Sequence, residues 1–314
     1  MISDRTKGYA LAALAAAAYG LNPLFALPLY AAGMTADSVL MFRYLIAIPI
    51  VAVMIVLRGR SFKVSRHDML LLVVMGLLMA VSSLTLFLGY NYMDAGIAST
   101  ILFVYPVMVA CIMAGVYREK VSLLTAGCIA LAFGGIALLF NNGSGDGGAL
   151  SVTGTVLVLI SALSYAIYIV GLNKSSLDKV ATLTVTFYSL LFGVFLFIGR
   201  LWFDGDVELP SGDRWYLWFN LVALAVFPTV VSLVCMTSAI HYIGSTPTAI
   251  MGALEPVTAV VIGVAVFGET LTFINVVGLS LVIVAVTGVV AGDGVHPLLM
   301  RMRRMFPRLR RPGK

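Results

Sequence analysis

Long apolar runs closed by short polar clusters dominate this chain. Ten of them reach about twenty residues or more: 8–31, 36–57, 69–90, 95–116, 121–140, 152–172, 179–202, 215–240, 245–267 and 271–291. A helix rises about 1.5 Å per residue, so a bilayer core about 30 Å thick takes roughly 20 apolar residues. The runs are continuously apolar rather than alternating, which speaks against the dyad pattern of a membrane barrel. The pattern therefore predicts an all-α membrane protein of ten transmembrane helices.

Composition agrees. Of 314 residues, 61% are hydrophobic and 11% charged, with a mean hydropathy of +1.04. Soluble domains carry roughly 45–50% apolar and about 25% charged residues, so an ordinary water-facing fold and a disordered chain are both excluded. Cys111, Cys128 and Cys235 lie inside apolar runs, at no disulfide or metal-ligand spacing, and read as small buried hydrophobes. Basic residues set the orientation. Seventeen of the 20 Lys and Arg fall on one side of the ten-span scheme: Arg5 and Lys7, the loop from Arg58 to Arg66, Arg118 and Lys120, Lys174 and Lys179, and the tail from Arg301 to Lys314. Arg200 and Arg214 fall on the other side, and Arg43 within a span. Positive charge gathers in cytoplasmic loops, so an inner-membrane protein with both termini in the cytoplasm is expected. The tail supplies most of the +6 net charge and is expected to touch anionic lipid headgroups, not nucleic acid. The first span follows basic residues as a signal peptide would, but its length and its internal counterpart make it a mature helix.

The chain is written twice. At an offset of 150, Ser82 falls on Ser232, Tyr92 on Tyr242, Pro106 on Pro256, Ile112 on Ile262 and Glu119 on Glu269. At an offset of 146, Gly8 falls on Gly154 and Tyr19 on Tyr165. The halves are 1–145 and 146–292, followed by a basic tail, 293–314. Each half holds five spans, an odd number, so the second copy is expected to lie upside down relative to the first. Two inverted five-helix repeats can exchange conformations and open a shared site to either side, which points to a transporter.

Two stretches carry a family resemblance. One runs from Tyr92-Met-Asp-Ala-Gly-Ile-Ala98 through Tyr105-Pro106 to Arg118-Glu119-Lys120. The other runs from Tyr242-Ile-Gly-Ser-Thr-Pro-Thr248 through Glu255-Pro256 to Phe267-Gly268-Glu269. With Arg43-Tyr44 in the second span, the chain resembles the EamA-type transporters of the drug/metabolite transporter superfamily. The resemblance implies ten helices with cytoplasmic termini, the fifth and tenth flanking eight that form a cavity. The chain departs from the pattern where Tyr105 stands opposite Glu255, and where no lysine closes the first span.

Polar groups inside a membrane are expected to face a cavity or a partner. Ser161, Ser164, Tyr165 and Tyr168 share one helical face, and the repeat maps it onto Ala15, Ala18, Tyr19 and Asn22. Thr248, Met251, Gly252 and Glu255 have the same spacing, and map onto Ala98, Ile101, Leu102 and Tyr105. These faces read as the lining of one substrate cavity, with helix–helix packing as the plainer alternative. Glu255 lies near mid-membrane and is expected to bind a cationic group or carry a proton; a structural carboxylate is the alternative. Pro106 and Pro256 each remove an N–H and are candidate hinges. Arg43 is a candidate for a substrate carboxylate, or a structural residue paired within the protein. His241 is a loop residue or a pH-sensitive gate.

Other motifs fail their context. Gly143-Ser-Gly-Asp-Gly-Gly148 spells G-x-G-x-x-G between two membrane helices with no strand before it. Three scattered histidines offer no His-based metal centre, all six lysines lie outside the spans, and no cofactor motif or enzymatic constellation stands out. The expectation is a non-enzymatic, cofactor-free secondary transporter for small polar metabolites, foremost an exporter of amino acids. A drug or lipophilic-cation exporter is the alternative. Its partners would be a small-molecule substrate and the lipid bilayer; the sequence leaves the oligomeric state open, with a monomer plausible.

Overall fold

The computed structural model describes residues 4–118, 123–142, 151–204, 207–210, 214–243, 248 and 251–288; of 123–125, 140–142, 178, 204 and 241 it describes the backbone alone. Glu119, Lys120, the 143–148 segment, Pro247, the tail and the His241 side chain lie outside the described residues.

Every described element is helical. Among the described residues, seven segments are long and apolar enough to cross a bilayer: Asp4–Ala31, Ala36–Leu57, Arg66–Gly89, Ala95–Val116, Val152–Lys174, Thr182–Phe203 and Trp215–Ile240. Three shorter apolar helices, Ala126–Leu139, Leu254–Phe267 and Phe273–Gly288, occupy the fifth, ninth and tenth apolar runs.

Prolines and polar caps punctuate these segments. The first divides at Leu21 into α1 (Asp4–Gly20) and α2 (Asn22–Ala31), with Pro23 in the first turn of α2. Next come α3 (Ala36–Leu57), capped by the Thr35 side chain, and α4 (Arg66–Gly89), capped by Ser65. A turn at Phe103 and Val104 separates α5 (Ala95–Leu102) from α6 (Tyr105–Val116), with Pro106 just inside α6. Then follow α7 (Leu123–Asn142), α8 (Val152–Lys174) and α9 (Thr182–Asp204). The eighth apolar run is α10 (Trp215–Ala225), a π turn over Val226–Val231 that holds Pro228, and α11 (Ser232–Ile243). A turn at Gly252 and Ala253 precedes α12 (Leu254–Phe267), and α13 is Phe273–Gly288. Left-handed Gly268 (φ +69°) ends α12, a conformation glycine adopts without strain.

Packing runs mainly between the two halves of the chain. Helix α1 lies along α11, α4 along α8 and α9, α3 along α9, and α5 along α12. Close approach depends on small residues: a Cβ on Gly20 would come 2.6 Å from the Glu255 carbonyl oxygen.

Contacts between helix ends sort into two faces. On the basic face, Thr184 Oγ1 donates to Ser61 O at 3.1 Å, Tyr188 OH donates to Phe62 O at 2.9 Å, and Ser176 bonds Asp68. On the opposite face, Arg200 grips Asp37 through Nε at 2.8 Å and Nη2 at 3.4 Å, and Thr35 N–H donates to Glu208. There Glu269 also accepts from Ala95 N at 2.9 Å and Gly96 N at 3.3 Å, so the end of α12 caps the start of α5. Burial pushes the Glu269 carboxyl above its ordinary value, with the two amide bonds acting against the shift.

Candidate functional site

Beside the helix breaks lies a cavity of about 90 Å³, room for several waters. Helix α1 presents Ala12, Ala15, Ala16 and Tyr19, one face at helical spacing. Leu102 and Tyr105 border the α5–α6 turn, Tyr165 comes from α8, and Ser232 and Met236 come from α11. Thr248, Gly252 and Glu255 complete the wall. Ala12, Ser232, Met236 and Thr248 place the cavity between the level of the breaks and the basic face.

Glu255 is the one ionisable carboxylate in that lining, and no Lys, Arg or His accompanies it among the described residues. It is only 9% exposed, and no hydrogen bond or ion pair among the described residues involves its carboxylate. An acid at this depth costs about 3 kcal/mol on insertion scales. Its place in the first turn of α12 offsets part of that cost, because the helix start is the positive end of the backbone dipole. Tyrosines supply much of the remaining wall. Tyr105 meets Tyr165 edge to face at 4.8 Å, and Tyr19 closes the cavity on the α1 side.

Of the residues singled out from sequence, the cavity gathers Glu255, Tyr19, Tyr105, Tyr165 and Thr248. Four others lie outside its lining. Tyr168 stacks on Tyr165, centroids 5.9 Å apart, and Ser164 is buried. Asn22 is 2% exposed; its Nδ2 donates to Tyr19 O at 2.8 Å, and its Oδ1 has no partner among the described residues. Arg43 is 5% exposed, donates from Nε to Thr229 Oγ1 at 3.0 Å, and lies 5.5 Å from the centroid of Phe87. Thr229 belongs to the π turn and donates onward to Leu224 O at 3.4 Å. Phe87 in turn packs against Tyr30 and Tyr90, and Tyr30 OH donates to its carbonyl at 3.0 Å. Arg43 thus joins α3 to the bulged helix and an aromatic cluster.

Pro106 and Pro256 sit in the first turns of α6 and α12, where a missing N–H leaves no helical bond unmade. Both therefore coincide with breaks at equivalent places in the two halves. Sequence reasoning passed over Ala12, Ala16 and Met236, and read Ser232 only as the repeat match of Ser82. The alanines could have been found by extending the Tyr19 stripe back at helical spacing. Ser232 and Met236 could not, because a π turn inserts a residue and rotates everything after it by about 100°. Among the described residues, no three His, Cys, Asp or Glu side chains cluster as a metal site would require.

The EamA-like transporter family model matches the chain twice, over residues 6–141 and 152–291. An "Uncharacterized transporter" of Clostridium kluyveri is 23% identical over 285 residues, 88% of this chain and 91% of its own. The Bacillus subtilis "Uncharacterized transporter YxxF" is 24% identical over 65% of this chain; the match spans 64% of that relative's length. "Uncharacterized transporter YvbV" of the same organism is 27% identical over 67% of this chain and 69% of its own. A solved crystal structure superposes with a TM-score of 0.66 at 16% identity, covering 94% of this chain and 98% of that one, a likeness of fold alone. With the family pattern found once in each half of a chain whose described residues form seven membrane-length helical segments, this protein belongs to the EamA-like transporter family.

Proposed function

We propose that this chain is a secondary transporter that exports small amine-bearing metabolites, foremost amino acids, across the inner membrane by alternating access. In this reading ten spans form two inverted repeats, 1–145 and 146–292, with both termini and the 293–314 tail in the cytoplasm. The observation that carries it is Glu255: a buried carboxylate with no partner among the described residues, in a cavity walled by three tyrosines. A protonated amine would satisfy the charge and lie against aromatic faces. The first turn of α6, with Tyr105 where α12 has Glu255, offers a positive helix end to a substrate carboxylate.

Helix packing supports the inverted arrangement. Exchanging the halves turns the α1–α11 contact into α8–α4, and α6–α8 into α12–α1, and all four contacts are present. Tyr30, Phe87, Tyr90 and Arg43 lie together beyond the cavity, consistent with a carrier open toward its basic face.

The test is transport in proteoliposomes with a panel of amino acids, their decarboxylated amines and permanent organic cations. Glu255→Gln is expected to lower transport of amine-bearing substrates at least tenfold while leaving the folded yield unchanged. Undiminished transport by that variant removes Glu255 from the mechanism. A second reading, a lipophilic-cation or drug exporter, is favoured by the absence of any cation in the described lining. Preference for the organic cations over the amino acids in the same panel selects it.

A further inference from the structure

A second cavity, of about 590 Å³, opens on the basic face. Arg58, Arg60, Lys179, Thr182 and Thr237 line it, together with the chain from Val180 to Leu183. Its cations come from two distant segments fastened to each other by the Thr184–Ser61 and Tyr188–Phe62 bonds. Left-handed Gly59 (φ +61°) folds the end of α3 back on itself, and Arg60 N–H returns to Ile55 O at 2.9 Å. Arg58 and Arg60 are therefore presented by a closed turn.

Among the described residues no acidic side chain is in the lining, and no ion pair involves Arg58, Arg60 or Lys179. Helix α9 begins at the pocket wall and adds the positive end of a 23-residue dipole. Three cations sharing one concave wall repel each other until an anion sits among them. Depth identifies the anion. Val56 and Leu57, which precede Arg58, are 66% and 80% exposed and belong against acyl chains, so the cations stand at headgroup level.

We propose that this pocket binds an oxyanion, the phosphate of an anionic phospholipid in the leaflet at the basic face. Thr237 brings α11 to the same pocket, and Ser232 and Met236 of the central cavity lie five residues and one residue before it on that helix. A bound headgroup therefore ties α3 and α9 to a wall of that cavity and favours the arrangement described here.

Thermal unfolding of the purified full chain in detergent tests this, with phosphatidylglycerol, phosphatidylcholine or inorganic phosphate added. Phosphatidylglycerol is expected to raise Tm by about 3 °C or more, and phosphatidylcholine not to. The triple variant Arg58→Gln, Arg60→Gln, Lys179→Gln should lose that response. Lys63→Gln with Arg66→Gln, which removes charge from the same face outside the pocket, should keep it. If the triple variant does not fold, Arg60→Gln and Lys179→Gln are compared singly, and each should lose part of the response. Inorganic phosphate acting as strongly as phosphatidylglycerol overturns the lipid as the source. An unchanged response in the pocket variants, an equal loss in the control, or no response in the wild type overturns the site.

Discussion

Glu255 and Arg43 are the two charged side chains placed deepest among the described spans, and they are used differently. Glu255 faces open volume, whereas Arg43 is engaged by Thr229 and Phe87. Arg43→Gln is therefore expected to change KM for an amino acid less than threefold. A tenfold rise that spares the decarboxylated amine would place the guanidinium on the substrate instead. In unfolding measurements, a double-mutant cycle of Arg43→Met and Thr229→Val should return a coupling of about 1–2 kcal/mol, typical of a charge-assisted hydrogen bond. Glu269 gives a prediction in pH. Its carboxyl is raised above its ordinary value, so the folded protein holds that proton more tightly than the unfolded chain. The associated stability is complete below the ordinary carboxylate value and is lost as pH rises through the raised one. Tm should fall across that interval in the wild type and stay flatter in Glu269→Gln, which the pH dependence of unfolding in both proteins will read.

Helices carry the next prediction. A Cβ on Gly263 would collide with the Glu269 carboxylate, which caps α5 at Ala95 and Gly96. Gly263→Ala should displace that carboxylate and cost about 1 kcal/mol, as lost caps do, measured as a lower Tm. Much of this level was legible in the sequence. Apolar runs located the helical segments, because lipid demands continuous apolar length. Pro106 and Pro256, read from the sequence as candidate hinges, stand in first turns beside breaks, where a missing N–H leaves no bond unmade, whereas Pro28 and Pro49 lie inside helices. Glu269 was visible as a motif, but its use as a cap between distant helices was not, because sequence spacing says nothing about which helix ends meet. Arg43 likewise showed its cost in lipid but not its partner, since Thr229 is brought to it by the π turn.

At the scale of the molecule, the two faces are held by unlike chemistry. Arg200 and Asp37 join the end of α9 to the start of α3 on one face. The positions matched by the 146-residue offset, Leu183 and Met54, are apolar. Arg200 is 43% exposed on its side chain, so Arg200→Gln should cost well under about 1 kcal/mol. Its effect should appear in labelling: a cysteine placed near Asp37 in a background lacking Cys111, Cys128 and Cys235 is expected to react several-fold faster with a maleimide when the ion pair is gone. Unchanged labelling would show that this pair does not restrain the face. The mismatch between Glu255 and Tyr105 reaches further. A carrier built from identical halves would idle with equal occupancy of its two orientations, like a fair coin. In the alternating-access cycle proposed above, the acid in one half alone would break that degeneracy and give the empty carrier a resting side even between identical solutions.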